Sequence, residues 1–400
     1  MGIFKGYRKY LLNRDTLFAT IAVFLVIGLL ALLPLNTGVL NPIKTALEDF
    51  DFNDLAYTKL GKNSEDSLDN RIVIVNIGFA DRAGLARMIE KIREGKPKVI
   101  GFDVIFDAAQ DSMMDLYLAE TLANTPELVA ASRIYWSNKE EPLNKGYFKN
   151  INNDFGYANF TTNELQTIRS VPPFEKINGK TEPCFSAAIL KKYDLQAFEK
   201  LERRKKEVEY INFTRNIDKY LTIDGQGLLE DRVLPSVFKD KIVLMGYISQ
   251  SPNDVEDKKF TPMNEKFAGK TLPDMNGVVV HANILSMMLD GKYVNKIPSW
   301  INWIITILIA WIHVALFVRY YIDNHIWFHL VAKIAQVISA IFFAFLSIRL
   351  FTDLSIKIDM AMPIVVIVLA IDVIYFYEAF AVWMHKKFGF NSAFVHNKHH

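Results

Sequence analysis

The stretch VVVHANILSMMLDGKYV, residues 278–294, decides how the chain is read. Three β-branched residues open it and read as a buried strand; ANILSMML (282–289) then repeats its apolar positions as a short amphipathic helix, which Gly291 stops. Pro298 and Trp300 follow and begin an apolar run long enough to span a bilayer. A folded domain therefore gives way to membrane at this point.

On both sides of that junction the distribution of residues is more telling than their totals. A hydrophobic content of 51% and a formal net charge of +2 suit many soluble proteins, but the apolar residues are concentrated near the start and in the last quarter. Lys5, Arg8, Lys9 and Arg14 precede TLFATIAVFLVIGLLALL (16–33), which at about 1.5 Å per residue comes close to the roughly 30 Å hydrocarbon core. No small-residue cleavage site follows it. Residues 1–15 are therefore expected in the cytoplasm and residues 16–36 as an uncleaved signal anchor. Further apolar runs at 300–318, 326–348 and 362–382 place three more spans within residues 299–383. With four spans both termini lie inside, in agreement with Lys386, Lys387 and Lys398 in the short cytoplasmic tail, 384–400.

Residues 37–298 form one large domain outside the membrane. RIVIVNIG (71–78), KVIGFDVIF (98–106), ELVAASRIYW (127–136) and KIVLMGYI (241–248) read as buried strands. Asp81 caps a helix that runs to residue 92 before Gly95 and Pro97, and residues 113–122 form a second helix. Alternating strand and helix with near-continuous apolar strands predicts an α/β fold, a mainly parallel sheet flanked by helices. Residues 155–183 read as loops with an inserted hairpin, 186–193 and 195–208 as helices, and EYINFT (209–214) as a strand. The long polar loop around Pro252, Pro262 and Pro273 reads as a lid or a partner surface.

Chemistry-bearing motifs are few. The sequence holds no G-x-S-x-G, HExxH, P-loop or G-x-G-x-x-G, so no enzyme and no cofactor is expected. The lone Cys184 rules out an internal disulfide and a thiolate metal cluster and reads as a small buried residue. The one basic run, RRKK (203–206), is flanked by Glu199, Glu202 and Glu207, which argues against a nucleic-acid partner. The terminal HNKHH (396–400) lacks metal-ligand spacing, and no metal site is expected.

The order of IVIVNIG, KVIGFDVIF, FGYANF, Arg169 ahead of Pro172, INFT, LPSVFKDKIVLMGYIS and NGVVVHANILSMML over residues 71–294 resembles the CHASE-2 family of extracellular sensory domains of bacterial receptors. The layout of one anchor, a large outside domain and several closing spans is similar too. The resemblance implies a sensor in the bacterial inner membrane, its domain in the periplasm, serving a cytoplasmic output domain. Fewer than twenty residues follow Trp383, so the signal is expected to pass to a separate protein.

In open parallel sheets ligands bind beyond the carboxyl ends of the strands. Asp103, Asp107 and Asp111 follow the second strand, and Asp254 and Asp257 follow the late strand. Asp103, Asp107, Asp111, Asp254 and His281 are the candidate ligand-binding residues; carboxylates gathered there suit a hard cation or an amine, while a hydrogen-bonded Asp103 and a packed His281 are the alternative. Within the spans, Lys333 is expected either to pair with Glu378, which matches its depth better than Asp372 does, or to snorkel with Glu378 to the inner headgroups, and Asp372 to be the functional membrane residue. Two classes of function fit: a receptor signalling through its spans, and a structural scaffold of an envelope complex that binds no small ligand. The expected partners are lipid, membrane or envelope proteins, and a second copy of the chain.

Overall fold

Aliphatic runs of four to seven residues do build one sheet in the computed structural model, which describes residues 2–32, 51–57, 67–136, 142–160, 166–251, 253–264, 272–323 and 325–395. The histidines of 396–400 lie outside the described residues. The chain divides into residues 54–295 and a second unit of residues 1–53 with 296–400. The second unit opens with α1 (Gly2–Leu11) and α2 (Arg14–Ala31).

In the first unit β1 (Ile72–Asn76), α3 (Arg82–Glu94), β2 (Val99–Phe102), α4 (Ser112–Ala123) and β3 (Leu128–Ile134) follow the expected alternation. After these come β4 (Leu143–Asn144), β5 (Asp154–Tyr157), a hairpin of β6 (Phe174–Ile177) and β7 (Lys180–Pro183), α5 (Phe185–Tyr193) and α6 (Leu195–Arg204). β8 (Leu221–Asp224), β9 (Ile242–Gly246) and α7 (Gly277–Asp290) complete the unit. The sheet order is β8–β1–β9–β2–β3–β5, all parallel, with β4 antiparallel to the end of β3. The mixed α/β fold with a mainly parallel sheet is thus present.

Alternation along each strand separates two apolar layers. Ile72, Ile74, Ile242 and Leu244 face Phe185, Ile189, Val278 and Leu285 of α5 and α7. Val73, Val75, Val243 and Met245 face Leu85, Ile89 and Leu118 of α3 and α4. Each such side chain contributes about 1.5–3 kcal/mol by leaving water, so strand and helix stabilise each other without any strong local propensity.

Two assignments differ from the sequence reading. Val278–Val280 lie in the first turns of α7, not in a strand. β-branched residues cost a helix only a few tenths of a kcal/mol, and α7 is buried from Gly277 through Met288, which outweighs that cost. Gly246 permits the approach, because a Cβ there would lie 2.7 Å from the Val278 Cβ. In EYINFT only Glu209–Tyr210 pairs, against Ser170–Val171.

The second unit closes with α8 (Ser299–Asp323), α9 (His325–Leu354) and α10 (Ala361–Phe388). Each contains a segment long and apolar enough to cross a membrane. α9 runs on to Leu354, past residue 348 where the apolar run read from the sequence ends. α8 packs against α2, α9 and α10. Asp15, buried near the start of α2, accepts from the Tyr377 hydroxyl and from Ala393 N, each at 2.8 Å, and this ties the segment after α10 back onto the bundle.

Candidate ligand site at the carboxyl ends of the strands

Five parallel strands end around a cavity of about 630 Å³. Ile77 follows β1, Tyr247 follows β9, Asp103 follows β2, Arg133 lies near the end of β3, and Asn159 and Phe160 follow β5. α7 closes one wall with Gly277 and His281, and the loop after β9 adds Asp257 and Lys259. This is where the geometry of a parallel sheet leaves room, since its crossovers fan apart beyond the strand ends.

Asp103 is positioned by its backbone, whose N–H donates to Met245 O at 2.9 Å. Among the described residues its carboxyl group has no hydrogen-bond partner. Removal from bulk water, reinforced by the charge of Asp257, pushes its pKa up to about 7, while Lys259 and Arg133 act in the opposite direction. Asp257 has a left-handed backbone, φ 54°. Its carboxylate receives Gly277 N at 3.2 Å, at the start of α7, and lies 3.7 Å from Lys259 Nζ. That placement sets a negative group against the positive end of a helix.

His281 is packed on three sides. Its ring stacks on Phe160 at 4.9 Å, meets the edge of Phe185 at 5.1 Å, and brings Nδ1 within 3.2 Å of Ser186 Oγ. Burial pushes its pKa down to about 3, so the imidazole is neutral at physiological pH. Ser186 is fully buried and does not line the cavity, so this contact orients the ring and presents no nucleophile. Cys184 is buried as well, which pushes its thiol up to about 12.

The expected gathering of carboxylates does not form. Asp103 and His281 line the cavity; Asp107, Asp111 and Asp254 do not. Arg82 of α3 explains the first two. It is held against the Phe106 and Phe148 rings at 4.8 and 5.4 Å, pairs with buried Asp115 of α4 and donates to the Ala108 carbonyl, so the loop after β2 turns away from the cavity. Asp111 then caps α4 by accepting from Met113 N and Met114 N at 3.0 Å, and Asp107 is exposed. Asp254 accepts from the Tyr247 hydroxyl at 2.7 Å. Among the described residues no group of three metal-ligating side chains occurs.

Arg133, Asp257 and Lys259 carry the rest of the cavity's charge. Arg133 had a signal, being a single cation near the end of an otherwise apolar strand. In the second unit Glu378 accepts from the Tyr321 hydroxyl in place of the expected Lys333. Lys333 and Asp372 are exposed on the helices and, among the described residues, make no hydrogen bond or ion pair.

The resulting cavity offers carboxyl groups, cationic groups, a neutral imidazole and aromatic walls, a set that suits a small polar molecule. A family model, that of the CHASE2 domain, matches residues 23–319. The chain belongs to the CHASE2 domain family. CHASE2 is an extracellular sensory domain, and with three helices of membrane-spanning length among the described residues this is a sensor-like membrane protein. The CHASE2 match begins within α2 and ends within α8, beyond both edges of the α/β unit. No curated protein and no solved structure matches the chain.

Proposed function

We propose that the protein is a non-enzymatic receptor of a bacterial inner membrane, whose CHASE2 domain takes a small charged molecule between Asp103 and His281. Binding is relayed through the spans to a separate protein. The observation that carries this reading is the Asp103 carboxyl group, set in a cavity wall without a hydrogen-bond partner among the described residues. Asp103 is half-buried, and a polar group drawn partly out of water gains from a partner. A ligand with a donor toward Asp103 and an acidic group toward Arg133 and Lys259 answers this one.

α2 supplies the fourth span in this reading. Its 18 residues extend about 27 Å, and Arg8, Lys9 and Arg14 at one end match Lys386 and Lys387 at the end of α10, which supports a cytoplasmic side for both termini. A reporter enzyme active only outside the cytoplasm is expected to work when fused after Asn253 and to fail after Phe390.

The ligand test is thermal unfolding of the full chain in mild detergent against a panel of amino acids, amines and dicarboxylates. A ligand at a hundred times its Kd stabilises the folded state by about 2.7 kcal/mol, and Asp103→Ala removes that gain. If no compound shifts the parent and Asp103→Ala leaves partner capture unchanged, the receptor reading falls and the domain is a scaffold subunit.

A further inference from the structure

Two contacts fix the level of α9 against α10. Gln336 Nε2 donates to the carbonyls of Ile367 and Val368 at 3.0 and 2.8 Å. About two turns away the Tyr375 hydroxyl lies 3.1 Å from the His329 ring, with the two rings stacked at 17°. Because α10 runs back along α9, moving three residues from Gln336 toward the start of α9 matches moving three onward from Val368. Moving four onward from His329 matches moving four back from Tyr375. Both counts set Lys333 level with Ile371, one residue from Asp372. Glu378 falls about 10 Å nearer the start of α9 by the helix rise, which is why it meets Tyr321 and not Lys333.

An ammonium and a carboxylate therefore share one depth on neighbouring spans and still do not meet. Both side chains are exposed on the outside of the bundle. The surface around them is apolar: Leu330, Ile334 and Val337 of α9 and Val368 and Phe376 of α10 are exposed as well. α9 is the outer helix, with 22% of its span buried against 44% for α8 and α10. Lipid tails solvate neither charge, and ionisable groups in spans ordinarily face protein and pair. The short Asp372 side chain starts about 16 Å along α10 from Ala361, too deep to reach the headgroups.

We propose that this face is an interface between two copies of the chain, in which Lys333 of each copy pairs with Asp372 of the other. A two-fold axis along the membrane normal keeps every residue at its own depth, so groups level within one copy are level across the pair. One cation and one anion per copy make the face self-complementary. The two contacts form together, and no charge is left over in the lipid.

The test co-expresses two differently tagged copies of the full chain and captures one tag in mild detergent. Parent copies co-purify. Lys333→Asp alone and Asp372→Lys alone set like charges at both contacts, and co-purification falls about ten-fold or more. Co-expressing the Lys333→Asp copy with the Asp372→Lys copy restores opposite charges at both contacts and returns recovery to the parent level. Where a single variant does not accumulate by itself, accumulation is the readout, and rescue by the complementary copy supports the interface. The proposal is overturned if parent copies do not co-purify or if single variants behave like the parent. It is also overturned if recovery needs both changes in one chain, since that marks a pair inside a single bundle.

Discussion

The two ends of α7 treat charge in opposite ways. At its carboxyl end Asp290 lies 2.7 Å from Arg71 and 3.6 Å from Arg215, while Asp69 accepts from Arg71 Nε and from Ser286 Oγ, each at 2.8 Å. Every charge there is answered within the chain. At its amino end Asp103, Arg133 and Lys259 surround open space, and His281 faces it uncharged. One helix thus joins a cluster that serves folding to a cavity in which Lys259 and Asp257 lie 3.7 Å apart while the Asp103 carboxyl group is left to be completed from outside. Asp103 is half-buried and has no hydrogen-bond partner among the described residues, so the amino end is the place where a ligand gains most.

The largest effect separating the ends is expected at Asp69. Asp69→Ala removes the acceptor of Ser286 Oγ and leaves Arg71 and the buried Arg215 to share Asp290 alone. Breaking a buried pair by removing one partner costs about 3–5 kcal/mol, to be read as a lowered midpoint in urea unfolding. Asp103→Ala at the other end is expected to cost far less, because no protein hydrogen bond is lost. Equal losses at the two positions break the comparison.

Acid titration sharpens it. A carboxyl held at about 7 in the folded chain keeps a proton that the unfolded chain releases near 4, so Asp103 makes stability fall as pH rises between those values and then level off. His281, held at about 3, has the opposite sign. The unfolded chain takes up a proton below about 6.5 that the folded chain refuses, so stability is lost as pH falls through that window. Asp103→Asn is expected to gain on the parent toward pH 8, by roughly 1–2 kcal/mol once solvent in the cavity is allowed for. His281→Gln is expected to flatten the acid side. Parallel curves for Asp103→Asn and the parent dispose of the raised carboxyl.

What could be read without coordinates follows the same division. β1, β2, β3 and β9 were legible because strands of a covered parallel sheet are apolar on both faces, and α3 was legible from the Asp81 side chain, which accepts from Gly84 N at 2.7 Å. α7 was misread in its first turns because a helix buried on all sides has no polar face to break up VVV, and its local composition is that of a strand. β8 escaped notice as a short edge strand in which only Ile223 is buried. In the site, Asp103 and His281 were found because each is tied to a regular element. Asp257 was noticed but Asp254 preferred, since nothing local distinguishes two carboxylates three residues apart in a loop. The choice was made by Gly277 and the start of α7, far along the chain. Depth in the membrane was estimated from helix ends and set Lys333 beside Glu378. The side-chain ties at Gln336 and His329 move that level to Asp372.

The smallest expected effect tests how closely the cavity end is built. A Cβ at Gly277 would lie 3.0 Å from Asp257 Oδ2 and 3.3 Å from Oδ1. Those distances are too short for comfort but involve a side chain that can yield. Gly277→Ala therefore displaces the Asp257 carboxylate by a few tenths of an ångström and lengthens its 3.2 Å bond from Gly277 N. Against this, alanine favours a helix over glycine by up to about 1 kcal/mol. The two contributions nearly cancel, and the unfolding free energy is expected to stay within about 0.5 kcal/mol of the parent. Ligand response is not expected to cancel, because Asp257 is part of the cavity's charge and a small misplacement weakens polar contacts steeply. A variant that keeps its stability and loses ligand-induced stabilisation locates the recognition surface at the amino end of α7. One that keeps both shows that Asp257 serves only to cap the helix, and leaves Asp103, Arg133 and Lys259 to hold the ligand.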